Sequence, residues 1–97
     1  MKLKAKTDGN HSRLLKQIRC IPGVSVFSTH RVGQGFPDVI LGLSFNGVRR
    51  NFLLEIKDPS QPPSKRKLTP DEVKFHESWN GQVSVVETIE DVLKIIK

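Results

Sequence analysis

The chain has little of what usually staples or anchors a small protein. It carries one cysteine, Cys20, and no tyrosine. A single cysteine closes no intrachain disulfide, and with no cysteine partner and no clustered histidines it builds no structural zinc site. That usage fits a reducing, intracellular setting. No apolar run approaches the ~18 residues of a membrane-spanning helix, so no membrane partner is expected. The opening stretch MKLKAKTDGN lacks an apolar segment, which predicts no secretory signal. Acidic charge is also scarce: ten Asp and Glu stand against sixteen Lys and Arg, for a net charge of +6. Such an excess favours a polyanionic partner, most simply nucleic acid.

What is present is enough for one domain spanning 1–97, with residues 1–9 polar, basic and expected to be flexible. A chain of this size buries roughly 60–70% of its unfolded surface, so the core is modest and a second copy would help it. Asn10 is placed to cap a helix over 11–20, with Leu14, Leu15 and Ile18 on its apolar stripe. Pro22-Gly23 stops that helix, and VSVFSTH (24–30) alternates as a strand. Gly33 and Gly35 make a loop into Phe36-Pro37. Residues 58–68, DPSQPPSKRKL, read as a loop. Thr69-Pro70-Asp71-Glu72 combines a cap, an N1 proline and a capping-box glutamate, predicting a helix to about Trp79. QVSVVE (82–87) reads as a strand, and Thr88 with Asp91 starts a last helix whose face is Ile89, Val92, Leu93 and Ile96. The order is α-β-β-β-α-β-α, an α/β (α+β) chain with a mixed sheet flanked by helices.

The most informative segment lies between these elements. VILGLSF (39–45) and a second arm ending in Leu53-Leu54 flank Asn46-Gly47, the strongest short-range signal for a two-residue hairpin turn. That turn pairs Phe45 with Val48, and counting back pairs Val39 with Leu54 and Asp38 with Glu55. Alternation puts Val39, Leu41, Leu43, Phe45, Val48, Phe52, Leu54 and Ile56 on a core face, with Arg50 its one charged member. The other face carries Asp38, Ile40, Gly42, Ser44, Arg49, Asn51, Leu53, Glu55 and Lys57. Like charges directly opposite destabilise a strand pair, so Asp38 and Glu55 call for a counter-charge, and a divalent cation is the natural one. Lys57 emerges on the same face.

GFPDVILG, then LLEIK, the proline-rich loop with KLTPDE, and W-x-G-x-V-x-VV resemble the VRR-NUC domain of the PD-(D/E)XK nuclease superfamily, in its small stand-alone phage and bacterial form. The likeness runs from about Asp8 to the last helix. It implies a PD-(D/E)XK core and metal-dependent hydrolysis of DNA phosphodiesters, selective for branched, Holliday-junction or flap DNA in replication, recombination or repair. It also implies a homodimer in the cytoplasm of a bacterium or phage-infected cell. By position, Asp38 and Glu55 are the motif acids and Lys57 the motif lysine, with the Ile56 carbonyl joining the acids around Mg²⁺ or Mn²⁺; no small-molecule cofactor is implied. Asn10 and Glu72 match further polar positions. In one departure, His11 stands where relatives often carry a Glu, which weakens the case for a second metal and motivates an alternative, a catalytically inactive DNA-binding module. A restriction-type endonuclease is a third reading.

If DNA is the partner, phosphates are the first contacts. Lys65, Arg66 and Lys67 in the proline-rich loop, with His30, Arg31 and Gln34 beside the glycines, are the candidates, and such contacts position a backbone without reading sequence. The histidines share no metal-ligand spacing. His76 is expected to cover the edge of the core, and Trp79 with Phe75 to anchor it rather than to stack on bases.

Overall fold

The Asn46-Gly47 turn frames the molecule. In the computed structural model, which describes residues 10–97, both turn residues have left-handed backbone, φ 53° at Asn46 and 77° at Gly47. This conformation matches a tight hairpin to the right-handed twist of its arms. The arms are β2 (Val39–Phe45) and β3 (Val48–Ile56), antiparallel, with Phe45 opposite Val48 and Val39 opposite Leu54. The register predicted from the turn is observed from Phe45–Val48 to Val39–Leu54, but the ladder ends there: Asp38 and Glu55, expected as the next pair, are not paired, because the Asp38 carboxylate takes the Ile56 N–H. Flexibility of residues 1–9, and Asp8, lie outside the described residues.

Two more strands complete a four-stranded mixed sheet in the order β1-β2-β3-β4. β1 (Val24–Ser28) pairs antiparallel with β2, and β4 (Val83–Val86) pairs parallel with β3. A parallel neighbour needs a crossover, and α2 (Pro70–Ser78) provides it. With α1 (His11–Arg19) and α3 (Ile89–Ile96), the element order is the expected one, with a single 3₁₀ turn at Pro63–Lys65 inside the proline-rich loop.

The core lies on one face of the sheet. Leu14, Leu15 and Ile18 of α1 and Val92 and Ile96 of α3 pack on Val39, Leu41, Leu43, Phe52, Leu54, Ile56 and Val86. Each such side chain, fully buried, is worth about 1.5–3 kcal/mol of transfer free energy. Arg50, the one charge on this face, lies 5.2 Å over the Phe52 ring and donates from Nη2 to the Ile96 carbonyl at 3.2 Å, tying the hairpin to the C-terminus of α3.

Several expectations are corrected. Phe45 and Val48 are 65% and 55% exposed, because the hairpin tip extends past the helices that cover the core. Leu93 is also exposed, leaving Val92 and Ile96 as the buried pair of α3. β1 ends at Ser28, not His30, because the next backbone is taken up by the loop: Thr29 N–H donates to the Asp38 carbonyl at 2.7 Å and its hydroxyl to the Pro37 carbonyl at 2.8 Å. Asn10 makes no side-chain cap; its Nδ2 donates instead to the carbonyls of Lys57 (3.2 Å) and Glu87 (2.8 Å), pinning α1 to the ends of β3 and β4. α2 buries no residue, so Trp79 and Phe75 are not core anchors. Its capping box is present, with Thr69 and Glu72 exchanging bonds. No helix of the described residues is long and apolar enough to cross a membrane.

Candidate active site

The site sits where the β2–β3 ladder ends, on the face opposite the core. Past the last pair, Val39 with Leu54, Asp38 turns its carboxylate onto the neighbouring strand, and Oδ2 accepts the Ile56 N–H at 2.8 Å. Thr29 holds the same residue from the other side through its carbonyl. Asp38 is therefore fixed by backbone N–H groups of β3 and of the loop after β1. Glu55 and Lys57 emerge from β3 and its continuation at 2% and 6% exposure, so both side chains are out of water.

α2 closes the site. Lys57 Nζ donates to Glu72 Oε1 at 2.9 Å and lies 3.8 Å from Glu55 Oε2. Glu72, matched from sequence as a site position and as a capping-box partner, is the capping-box partner, its Oε1 accepting the Thr69 N–H at 2.9 Å, and the same oxygen binds Lys57. What brings the helix so near is Gly35. It has φ +81°, and a Cβ there would fall 2.2 Å from the Asp71 carbonyl oxygen. Gly33, Gln34 and Gly35 form a run of left-handed backbone, with φ 58° at Gln34, a conformation that costs a side-chain-bearing residue energy and often marks functional loops.

Three carboxylates meeting at Glu55, with one lysine beside two of them, cannot all ionise cheaply. Burial, then the charge and hydrogen bonding of Asp38 and of Glu72, push the Glu55 carboxyl up to about 10. Burial also raises Glu72, but the Thr69 N–H and the Lys57 ammonium outweigh it and hold that carboxyl below its ordinary value. The result is a proton kept on Glu55. With that proton Glu55 can donate to a flanking carboxylate; its Oε1, buried, lacks a partner only when all three acids are ionised.

His11 is the residue to which sequence reasoning gave no role. It is 5% exposed, its ring lies edge-on to His30 at 5.4 Å, and neither ring nitrogen has a partner. Burial lowers its pKa, opposed by the nearby Asp38 carboxylate and aided by His30. His11 therefore stands close enough to Asp38 to feel its charge. Thr29 was also missed, and nothing in its sequence context marked it.

The other candidates scatter. His30 is half-buried with Nδ1 2.9 Å from the Ser28 hydroxyl, while Arg31 and Gln34 are exposed. Lys65 and Lys67 are exposed, but Arg66 pairs with Glu87 at 3.4 Å. Asn10 lines a different cleft with Arg13, Gln17, Asp58 and Glu87, which includes none of Asp38, Glu55, Lys57 and Glu72. His76 is half-buried, its Nε2 unpartnered, and burial lowers its pKa against the pull of Glu72.

Among the described residues, no group of three or more His, Cys, Asp or Glu side chains is arranged to hold a metal ion. A cation bound through one or two carboxylates and its own waters, the habit of Mg²⁺, needs no such cage. No protein-family model matches the chain, and no curated protein or solved structure matches it either.

Proposed function

We propose that the chain is a Mg²⁺- or Mn²⁺-dependent DNA endonuclease of PD-(D/E)XK, VRR-NUC-like type, selective for branched DNA. Glu55 carries this reading: a carboxyl 2% exposed, pressed between Asp38 and Glu72 and holding a proton at neutral pH. A purely structural residue would be more stable as an apolar side chain. A site that receives a divalent cation has a reason to keep it.

Asp38, Glu55 and the Ile56 carbonyl would hold the metal, which when bound supplies Lewis-acid polarisation and neutralises charge on the phosphoryl oxygens. Asp38 is pre-positioned by the Ile56 N–H, so one oxygen is fixed before any ligand arrives. Lys57, clamped by Glu72, presents a cation on the same face and stabilises negative charge as it builds at phosphorus. In the reaction a water oxygen bonds to phosphorus and gives up a proton to solvent, the P–O ester bond breaks, and the leaving oxygen takes a proton from solvent. One site cuts one strand, so symmetric cutting of a junction calls for a homodimer.

His11, standing where an acid is expected, supports a second reading, a DNA-binding module without catalysis. One assay separates them: a four-way junction, a flap and plain duplex, each incubated with protein in Mg²⁺, Mn²⁺ or EDTA. The nuclease reading predicts metal-dependent cutting of the branched substrates, abolished in Glu55→Gln and Asp38→Asn. Those variants are preferred because Asn keeps an acceptor for the Ile56 N–H. Binding with no nick in either metal establishes the second reading instead.

A further inference from the structure

The face that bears the acids continues beyond them as an apolar, aromatic surface. Trp79 is 45% exposed and stacks on Phe75 with centroids 5.0 Å apart and planes 19° apart; Phe75 in turn meets Phe36 edge-on at 5.3 Å. Gly81 makes room for the indole, since a Cβ there would fall 2.8 Å from Trp79 Nε1. Between this stack and the sheet runs a groove of about 470 Å³, floored by Ile40 and Leu53 and ending at Asn51 and Gln82. That size is ordinary for a ligand site, where ~300–1,000 Å³ is typical. A second groove begins at Asn51 and includes the exposed Arg49.

Successive open-face residues of β3 thus read Glu55, Leu53, Asn51, Arg49: acid, apolar, amide, cation. Alternate residues of a strand advance ~7 Å, so Arg49 lies about 20 Å along β3 from Glu55. That is the length of roughly six stacked nucleotides at ~3.4 Å each. A flat aromatic surface beside a cation is how single-stranded nucleic acid is held without regard to sequence.

We propose that this row is a track for one unpaired strand of DNA, with a base stacked on Trp79 and a phosphate at Arg49. The proposal rests on the nuclease reading and deepens it, since it gives the substrate a single-stranded arm or gap beside the scissile phosphate. Duplex bases have both faces occupied and offer Trp79 nothing to stack on. The alternation of apolar and charged groups fits a polyanion bearing flat rings better than the uniformly apolar patch of a stable protein interface.

Trp79 is the only tryptophan, so its emission reads this surface alone. The test titrates the whole protein in EDTA, where nothing is cut, with an oligothymidylate and with blunt duplex of equal length. The single strand is expected to quench Trp79 strongly and the duplex weakly. Trp79→Ala is expected to weaken single-strand binding about 5- to 150-fold, the worth of one stacked base, and Trp79→Phe to restore most of it. Unchanged emission at saturating single strand, with junction cutting intact in Mn²⁺, overturns the track and leaves the nuclease standing. Quenching with no cutting in any metal keeps the track and removes the nuclease. Emission that changes with protein concentration alone, alongside a dimer in sedimentation, puts a second copy on this face and overturns the proposal.

Discussion

At the scale of single residues, the account turns on a proton. Glu55 has its carboxyl raised from 4.5 to about 10 in the folded chain, so the folded state holds a proton that the unfolded state has lost at neutral pH. Stability from this group is complete below about 4.5 and drains away as pH rises towards 10. His11 acts in the opposite sense. Its pKa is depressed from 6.5, so its contribution is present above that value and is lost as pH falls below it. Glu55→Gln, a permanently neutral mimic, is expected to remove the alkaline loss. In EDTA at pH 8–9 it should melt higher than the parent by several degrees, given ~4–8 °C per kcal/mol for a domain of this size. Thermal melts of both proteins across pH check this; parallel curves would mean that Glu55 is ionised in the fold.

Among the elements, the hairpin and the caps were legible and the docking of α2 was not. Asn46-Gly47 sets the register because a strand's side-chain period is two, so one dipeptide decides which residues meet across both arms. Thr69 with Glu72 and Thr88 with Asp91 announce their helices for an equally local reason. Asn10 looked like a cap from its neighbours, but its bonds go to residues far along the chain, which no local pattern encodes. Phe75 and Trp79 looked like core because aromatics usually are; which face of α2 meets the sheet is decided by tertiary contacts. One of those is Gly35 against Asp71. Gly35→Ala should cost about 1–2 kcal/mol for the left-handed backbone alone, and the clash with α2 adds to it. The account predicts a lower melting temperature together with loss of the Lys57–Glu72 pairing. A variant as stable as the parent, with full cleavage activity, would show that α2 is not held there.

For the molecule as a whole, charge and site point the same way. If the proposed function holds, a net charge of +6 on a small domain would gather DNA through phosphates, and affinity should fall steeply with salt. Lys65→Ala and Lys67→Ala are each expected to weaken binding alike across sequences and to lower the salt slope by about 1. Arg66→Ala should do less, because Glu87 already engages it. Salt titrations of the three variants decide this, and an Arg66 effect larger than the other two would contradict it. The acids could be read in advance as neighbours, since the turn aligned their strands. As a site residue Glu72 was named only through the resemblance; its bond to Lys57, the burial of His11 and the exposure of Trp79 could not be read, because each depends on contacts between elements distant in sequence. The most direct measurement of the central claim is an anomalous difference map from crystals grown in MnCl₂. The account predicts a manganese peak within about 2.5 Å of carboxylate oxygens of both Asp38 and Glu55. Ordered side chains with no peak between them, at a manganese concentration that supports cutting, would contradict it.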